Sequence, residues 1–134
     1  MAFTTTRRVE FGDTDMAGIM HFANFFRFME VAETDFLRAR GLTVAWAENG
    51  VKYGFPRVSA ACDYRAPARF GDVLTIAVTV EKVGTKSASF RFEFSRDGTA
   101  LATGRITSVY CRQKGDGVEA LAIPREIREK IEHP

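Results

Sequence analysis

Histidine and cysteine are scarce in this chain of 134 residues, with two of each. Two histidines, with no cluster of Cys, His and carboxylate at ligand spacing, leave no metal site in view. Cys62 and Cys111 lie far apart in strand-like segments, so two buried thiols are expected in place of a disulfide. No apolar run approaches the ~20 residues that a bilayer-spanning helix needs. The segment Met1 to Arg8 lacks an apolar h-region, so no secretory signal is expected and the cytoplasm is the expected location. Charge of one sign is also lacking. A formal net charge of +2 is too small for a nucleic-acid partner, which calls for a dense basic stripe. It is compatible with a small anionic ligand held by local basic residues.

What is present is globular in character: 46% hydrophobic and 27% charged residues, in a length that suits one domain over residues 1–134. Phenylalanine, at 12 copies, makes the core or a ligand tunnel rich in aromatic rings. The most informative stretch runs from Phe11 through Gly12, Asp13, Thr14, Asp15, Met16, Ala17 and Gly18 to Phe26. Two carboxylates and a glycine sit in a short loop between a strand-like run and a helix-like one. A helix start offers free backbone N–H groups and a partial positive charge. A carboxylate beside such donors is poised to attack a carbonyl, or to activate water against it, while the donors stabilise the oxygen. An ester or thioester hydrolase needs that arrangement.

The periodicity predicts a first strand over Phe3–Phe11, the loop over Gly12–Gly18, and a helix from about Phe22 to Arg40. Phe22, Phe25, Phe26, Met29, Ala32 and Phe36 share one helical stripe. Asn24 is a candidate N-cap and Gly41 a C′ glycine. Trp46 and its neighbours read as a connector with a short helix. Beyond it the period falls to two, through Val58–Tyr64, Val73–Val80, Ala88–Phe94 and Thr99–Arg112. Asp97-Gly98 is a hairpin dipeptide, and Gly115-Asp116-Gly117 another turn. Pro124 opens a short last helix with Ile127 and Ile131 on one side. One apolar helix followed by antiparallel strands is an α+β pattern. A sheet of about five strands with one buried face must curl around the long helix to cover it.

This order of elements resembles the hotdog-fold acyl-CoA thioesterases, and within them the 4-hydroxybenzoyl-CoA thioesterase group. Two segments carry the resemblance. One is Phe11 to Ile19, followed by Asn24 and by Phe28-Met29-Glu30. The other is Tyr64-Arg65-Ala66-Pro67-Ala68-Arg69-Phe70-Gly71-Asp72. The resemblance implies that Asp15, the second loop carboxylate, is catalytic, as nucleophile or as general base. It implies that the Phe22 N–H polarises the thioester carbonyl and that a basic residue at Lys86 lies near the phosphates of coenzyme A. Some relatives place a His where this chain has Phe22, with His21 one position earlier. Relatives of another branch use a Glu on the long helix, which brings Glu33 into consideration.

Coenzyme A is then part of the substrate, and no separate cofactor is expected. Asp13 is the structural member of the carboxylate pair, because two carboxylates facing one substrate would repel. Glu33 is expected in an ion pair, since a carboxylate on that apolar face must be paired, neutral or near solvent. Gly18, His21, Asn24, Phe26, Arg57, Arg65 and Lys86 complete the candidate substrate contacts, with Arg69 a further basic candidate. His21 and Asn24 also have structural readings at the helix start. Self-association to a dimer or tetramer is expected, with Val73 and Ala77 as apolar residues on the outer sheet face. Two alternatives stay open: hydrolysis of acyl groups on acyl-carrier protein, and non-catalytic binding of acyl-CoA.

Overall fold

The computed structural model describes residues 2–133. Strand β1 (Phe3–Arg8) leads through a single 3-10 turn (Phe11–Asp13) and a loop into helix α1 (Asn24–Ala39). Strands β2 (Ala45–Glu48), β3 (Val51–Gly54), β4 (Arg57–Tyr64), β5 (Val73–Val83), β6 (Ser87–Arg96) and β7 (Thr99–Val109) follow. Strands β8 (Cys111–Lys114) and β9 (Gly117–Ala120) precede helix α2 (Arg125–Glu132). Five strands form an antiparallel sheet in the order β1-β5-β6-β7-β4. The expected α+β architecture is therefore present, with α1 against one face of this sheet.

Alternation decides which face the helix covers. Leu74, Ile76 and Val78 on β5, Phe90, Phe92 and Phe94 on β6, and Ala102 and Ile106 on β7 are buried. They meet Phe25, Phe28, Met29, Ala32, Phe36 and Leu37 of α1. Each large side chain so buried contributes about 1.5–3 kcal/mol. The stripe is rotated slightly from the predicted one: Phe28 and Leu37 are in the core, whereas Phe22 is 63% exposed. Gly104 lets the helix come close. A Cβ there would lie 2.4 Å from the Met29 Sδ, so the bare backbone of β7 makes room for the thioether.

Helix α1 starts two residues later than expected, and Ala23, not Asn24, is its N-cap. It ends as predicted at Gly41, whose φ is +71°. The Gly41 N–H donates to the Arg38 carbonyl at 3.0 Å and the Leu42 N–H to the Leu37 carbonyl at 2.8 Å, a Schellman motif. Asp97 and Gly98 both take positive φ in the β6–β7 hairpin, as the dipeptide predicted. The cysteines are free thiols, Cys111 buried and Cys62 half-buried.

The connector around Trp46 is a correction. It is a β-hairpin, not a short helix, and it belongs to a second antiparallel sheet of order β2-β3-β8-β9. The turn residues Asn49 and Gly50 both have positive φ. The ring of Trp46 stacks on Tyr53 and on Tyr110, which anchors this sheet to the chain just after β7. The predicted last long strand is accordingly two strands, β7 and β8, in different sheets, with the crossing at Tyr110. Among the described residues, no helix is long and apolar enough to cross a membrane.

Candidate active site

The loop between β1 and α1 is a small hairpin of its own. Thr14 and Met20 form an isolated antiparallel bridge. Inside it the Gly18 N–H donates to the Asp15 carbonyl, and the Asp15 N–H to the Ile19 carbonyl, both at 3.0 Å. Gly18, at φ +79°, takes the left-handed position such a three-residue turn requires. The Asp15 Oδ1 accepts from the Ala17 N–H at 2.8 Å. That contact is an Asx turn, and it holds the carboxylate in one orientation.

Asp13 has the structural position expected of it. Its Oδ2 accepts from the Glu10 N–H at 2.8 Å. Its carbonyl accepts from the His21 N–H at 2.9 Å and from the Asn24 Nδ2 at 2.8 Å. The side chain of Asn24 therefore ties the first residue of α1 to the loop. The Met20 N–H donates to the Ala68 carbonyl at 2.7 Å, which fastens the loop to the segment after β4.

That segment is fixed by Asp72. Its Oδ2 accepts from the Arg69 N–H and from the Arg96 Nη1, both at 2.8 Å. Partial burial pushes the Asp72 carboxyl up, but these hydrogen bonds and the two arginine charges outweigh it and hold the group below its ordinary value.

The start of α1 uses its donors in sequence. The Ala23 N–H donates to the His21 Nδ1 at 3.3 Å, and the Asn24 N–H to the His21 carbonyl at 2.9 Å. His21 thus satisfies two of the donors that a helix start leaves over. The Phe22 N–H donates to no acceptor among the described residues.

Asp15, Ile19, Met20, Phe22, Phe25, Tyr64, Arg65, Ala66 and Pro67 line one cleft of about 420 Å³. Asp15 and Phe22, which bear the carboxylate and the unused helix-start donor, therefore line one predominantly apolar space. The rings of Phe22 and Phe25 both meet the Tyr64 ring edge to face, at 6.4 and 5.2 Å. The Tyr64 hydroxyl donates to the Phe22 carbonyl at 3.0 Å. Arg65, at the rim, donates from Nη1 to the Thr103 Oγ1 at 2.6 Å, and that hydroxyl donates on to Glu93 at 3.0 Å.

Of the residues singled out in the sequence, Asp15, Phe22 and Arg65 share this cleft. Gly18 forms its loop, and His21 and Asn24 organise the helix start behind it. Phe26 and Arg57 lie elsewhere, on a smaller cleft with Arg27, Glu30, Ala60 and Ile106. There Arg57 pairs with Glu33, its Nε at 3.0 Å from the Glu33 Oε1. Glu33 is 1% exposed, and burial pushes its carboxyl up despite the arginine. The expected ion pair is present. Lys86 is exposed in the β5–β6 turn, and its side chain makes no hydrogen bond or ion pair among the described residues. Tyr64 and Phe25 are cleft residues that the sequence did not assign to the site. The alternation of β4 had placed Tyr64 with Val58, Ala60 and Cys62 as one strand face and gave no sign of the contact to Phe22.

Residues 9–131 match the thioesterase-like superfamily. The chain is 29% identical to the 4-hydroxybenzoyl-CoA thioesterase of Pseudomonas sp. (strain CBS-3) over 136 aligned positions, covering 96% of each protein. It is 26% identical to the acyl-CoA thioesterase YbgC of Haemophilus influenzae, covering 98% of this chain and 95% of that one. The solved structure of the Pseudomonas thioesterase superposes with a TM-score of 0.85 at 26% identity, over 96% of this chain and 98% of that chain. With the sheet wrapped on its central helix, the fold is the hotdog fold of these enzymes. The chain belongs to the thioesterase-like superfamily and is a thioester hydrolase.

Proposed function

We propose that this protein hydrolyses an acyl-CoA thioester to the free acid and coenzyme A, with Asp15 and the Phe22 N–H as the reacting pair. The observation that carries the reading is their shared cleft: an oriented carboxylate and an unused backbone donor at a helix start. The thioester carbonyl oxygen accepts from the Phe22 N–H, where the helix dipole adds to the hydrogen bond. Asp15 then acts in one of two ways. As nucleophile it forms an acyl–aspartyl anhydride and expels the thiolate of coenzyme A, and water hydrolyses the anhydride. As base it takes a proton from the attacking water, and the collapsing tetrahedral intermediate expels the thiolate. The apolar wall of Ile19, Met20, Phe22 and Phe25 takes the acyl group and limits the access of water. No separate cofactor enters either course, since coenzyme A arrives with the substrate.

The cleft lies at the Tyr64 end of β4, one of the two edge strands of the five-stranded sheet. Seven of the eight β4 residues are exposed, Val58 at 62%. An edge strand with unpaired backbone groups is a template for pairing. Two copies joined antiparallel along β4 about a two-fold axis set the Arg57 end of one strand beside the Tyr64 end of the other. This reading supports a dimer, with substrate at the junction and Arg65 and Lys86 as cations for the phosphates. The assay is release of free thiol from aryl and medium-chain acyl-CoAs, with light scattering for the mass. Turnover of at least one acyl-CoA by a dimer or tetramer is expected. A monomer that binds acyl-CoA and releases no thiol overturns the reading.

A further inference from the structure

The segment that carries the Phe22 N–H is held from two sides. On the loop side, the His21 N–H is tied to the Asp13 carbonyl at 2.9 Å. On the helix side the His21 carbonyl, which shares a peptide with the Phe22 N–H, accepts from the Asn24 N–H at 2.9 Å, while the tie on the next peptide is weaker. The Phe22 carbonyl accepts from the Phe25 N–H at 3.3 Å, a long i→i+3 contact in a first turn that the helix has not yet closed. Phe22 itself precedes the helix, which starts at Asn24. Helix geometry alone therefore sets the Phe22–Ala23 peptide loosely.

A residue from a different part of the fold supplies a second tie to that peptide. The Tyr64 hydroxyl donates to the same Phe22 carbonyl at 3.0 Å, across 42 positions of sequence. Its ring makes T-shaped contacts with the rings of Phe22 and Phe25. Tyr64 is the last residue of β4 and is paired with Ala102 on β7, so the donor stands on the sheet, not on a loop. We propose that Tyr64 is the positioning residue for the oxyanion donor: its hydroxyl fixes the Phe22–Ala23 peptide, the unit that follows the one bearing the Phe22 N–H, and so restricts the backbone rotation at Phe22 that would turn this N–H away from the Asp15 cleft.

This inference rests on the role given to Phe22 above. Desolvation, with the neighbouring Cys62, pushes the Tyr64 phenol up to about 12. The hydroxyl therefore keeps its proton across the working pH range and acts as a donor throughout.

The test is Tyr64→Phe, which removes one oxygen and leaves the ring, measured beside wild type and Asp15→Asn with benzoyl-CoA and hexanoyl-CoA. Circular dichroism confirms the folds. The expected result is a kcat reduced about tenfold with KM within twofold, smaller than the ~10²–10³ that loss of an oxyanion donor itself costs. A purely structural role moves the melting temperature and leaves that kcat-against-KM split absent.

A second readout is the infrared carbonyl band of isotope-labelled benzoyl-CoA bound to Asp15→Asn. Adding Tyr64→Phe is expected to raise its frequency and broaden it, because the N–H bond to the carbonyl is less well held. Wild-type kcat in Tyr64→Phe, or an unchanged band, overturns this inference alone when Asp15→Asn is inactive. Full activity in Asp15→Asn overturns the reading beneath it, and this inference with it.

Discussion

The side-chain amide of Asn24 donates to the carbonyl of Asp13 at 2.8 Å, and so binds the first turn of α1 to the loop that carries Asp15. This contact relates the two parts of the site that, in the proposed reaction, act on opposite ends of the thioester carbonyl. Asn24→Ala removes it and leaves the Asp13 carbonyl with the His21 N–H alone. The expected loss of stability is about 1 kcal/mol, the net worth of one such bond. Turnover is expected to fall further than that stability loss explains, because the loop and the helix start then move independently. Thermal melts paired with kcat measurements check both.

Glu33 and Arg57 test the division between structure and chemistry. Arg57→Ala leaves a buried carboxylate without its partner, a change that typically costs ~3–5 kcal/mol. Glu33→Gln keeps the shape and removes the charge, and turnover within a few-fold of wild type is expected. The pH dependence has a definite sign. Burial raises the Glu33 carboxyl in the folded state above its ordinary 4.5, so the folded chain binds that proton more tightly than the unfolded chain. Between the ordinary and the raised value, wild type therefore loses stability as pH rises, and Glu33→Gln lacks that component. Urea melts of both proteins across this range measure the difference.

Asp72 shows the opposite sign. Its folded-state carboxyl is held below the ordinary 3.8, so its contribution is fully present above that value and is lost as pH falls through the lowered one. Asp72→Asn is expected to lower stability at neutral pH and to reduce the acid sensitivity of the melt. Because the Ala68 carbonyl anchors Met20, the same variant is expected to raise KM as the cleft wall loosens.

At Gly104 the prediction concerns packing alone. Gly104→Ala sets a methyl against the fully buried Met29 side chain, and overpacking of this kind costs about 1–3 kcal/mol. A lower melting temperature with an unchanged KM is expected.

Much of this arrangement was legible in the sequence. The helical stripe, Gly41, Asp97-Gly98 and the Asp13–Gly18 loop each pair a residue type with a backbone or packing demand that few alternatives meet. The second sheet was not legible in the same way. Tyr110 is distant in sequence from Trp46 and Tyr53, and the pairing of β3 with β8 and the stacking of these rings appear only in the folded sheet. Asn49-Gly50 was the local sign of that hairpin, since the pair favours positive φ at both positions. The site divides similarly. Asp15 and Phe22 lie close enough in the chain for a motif to join them. Tyr64 reaches Phe22 only through the register of β4 on β7, and that register is a property of the folded sheet. Arg57 looked like a free cation in sequence because the burial of Glu33 is set by the rotation of α1, which periodicity located only approximately.

The most direct measurement is kcat of Asp15→Asn beside Asp13→Asn and Glu33→Gln, on any acyl-CoA that wild type hydrolyses, with circular dichroism to confirm each fold. Asparagine keeps the size and the acceptor oxygen that holds the Ala17 N–H, so the Asp15 turn survives. The account predicts that Asp15→Asn loses at least the ~10²–10⁴-fold that a general base supplies, and still binds substrate. Asp13→Asn is expected to act through loop stability, and Glu33→Gln to remain active. A folded Asp15→Asn enzyme within a few-fold of wild type, beside an inactive Glu33→Gln, would contradict the account and move the catalytic carboxylate from the loop to the helix.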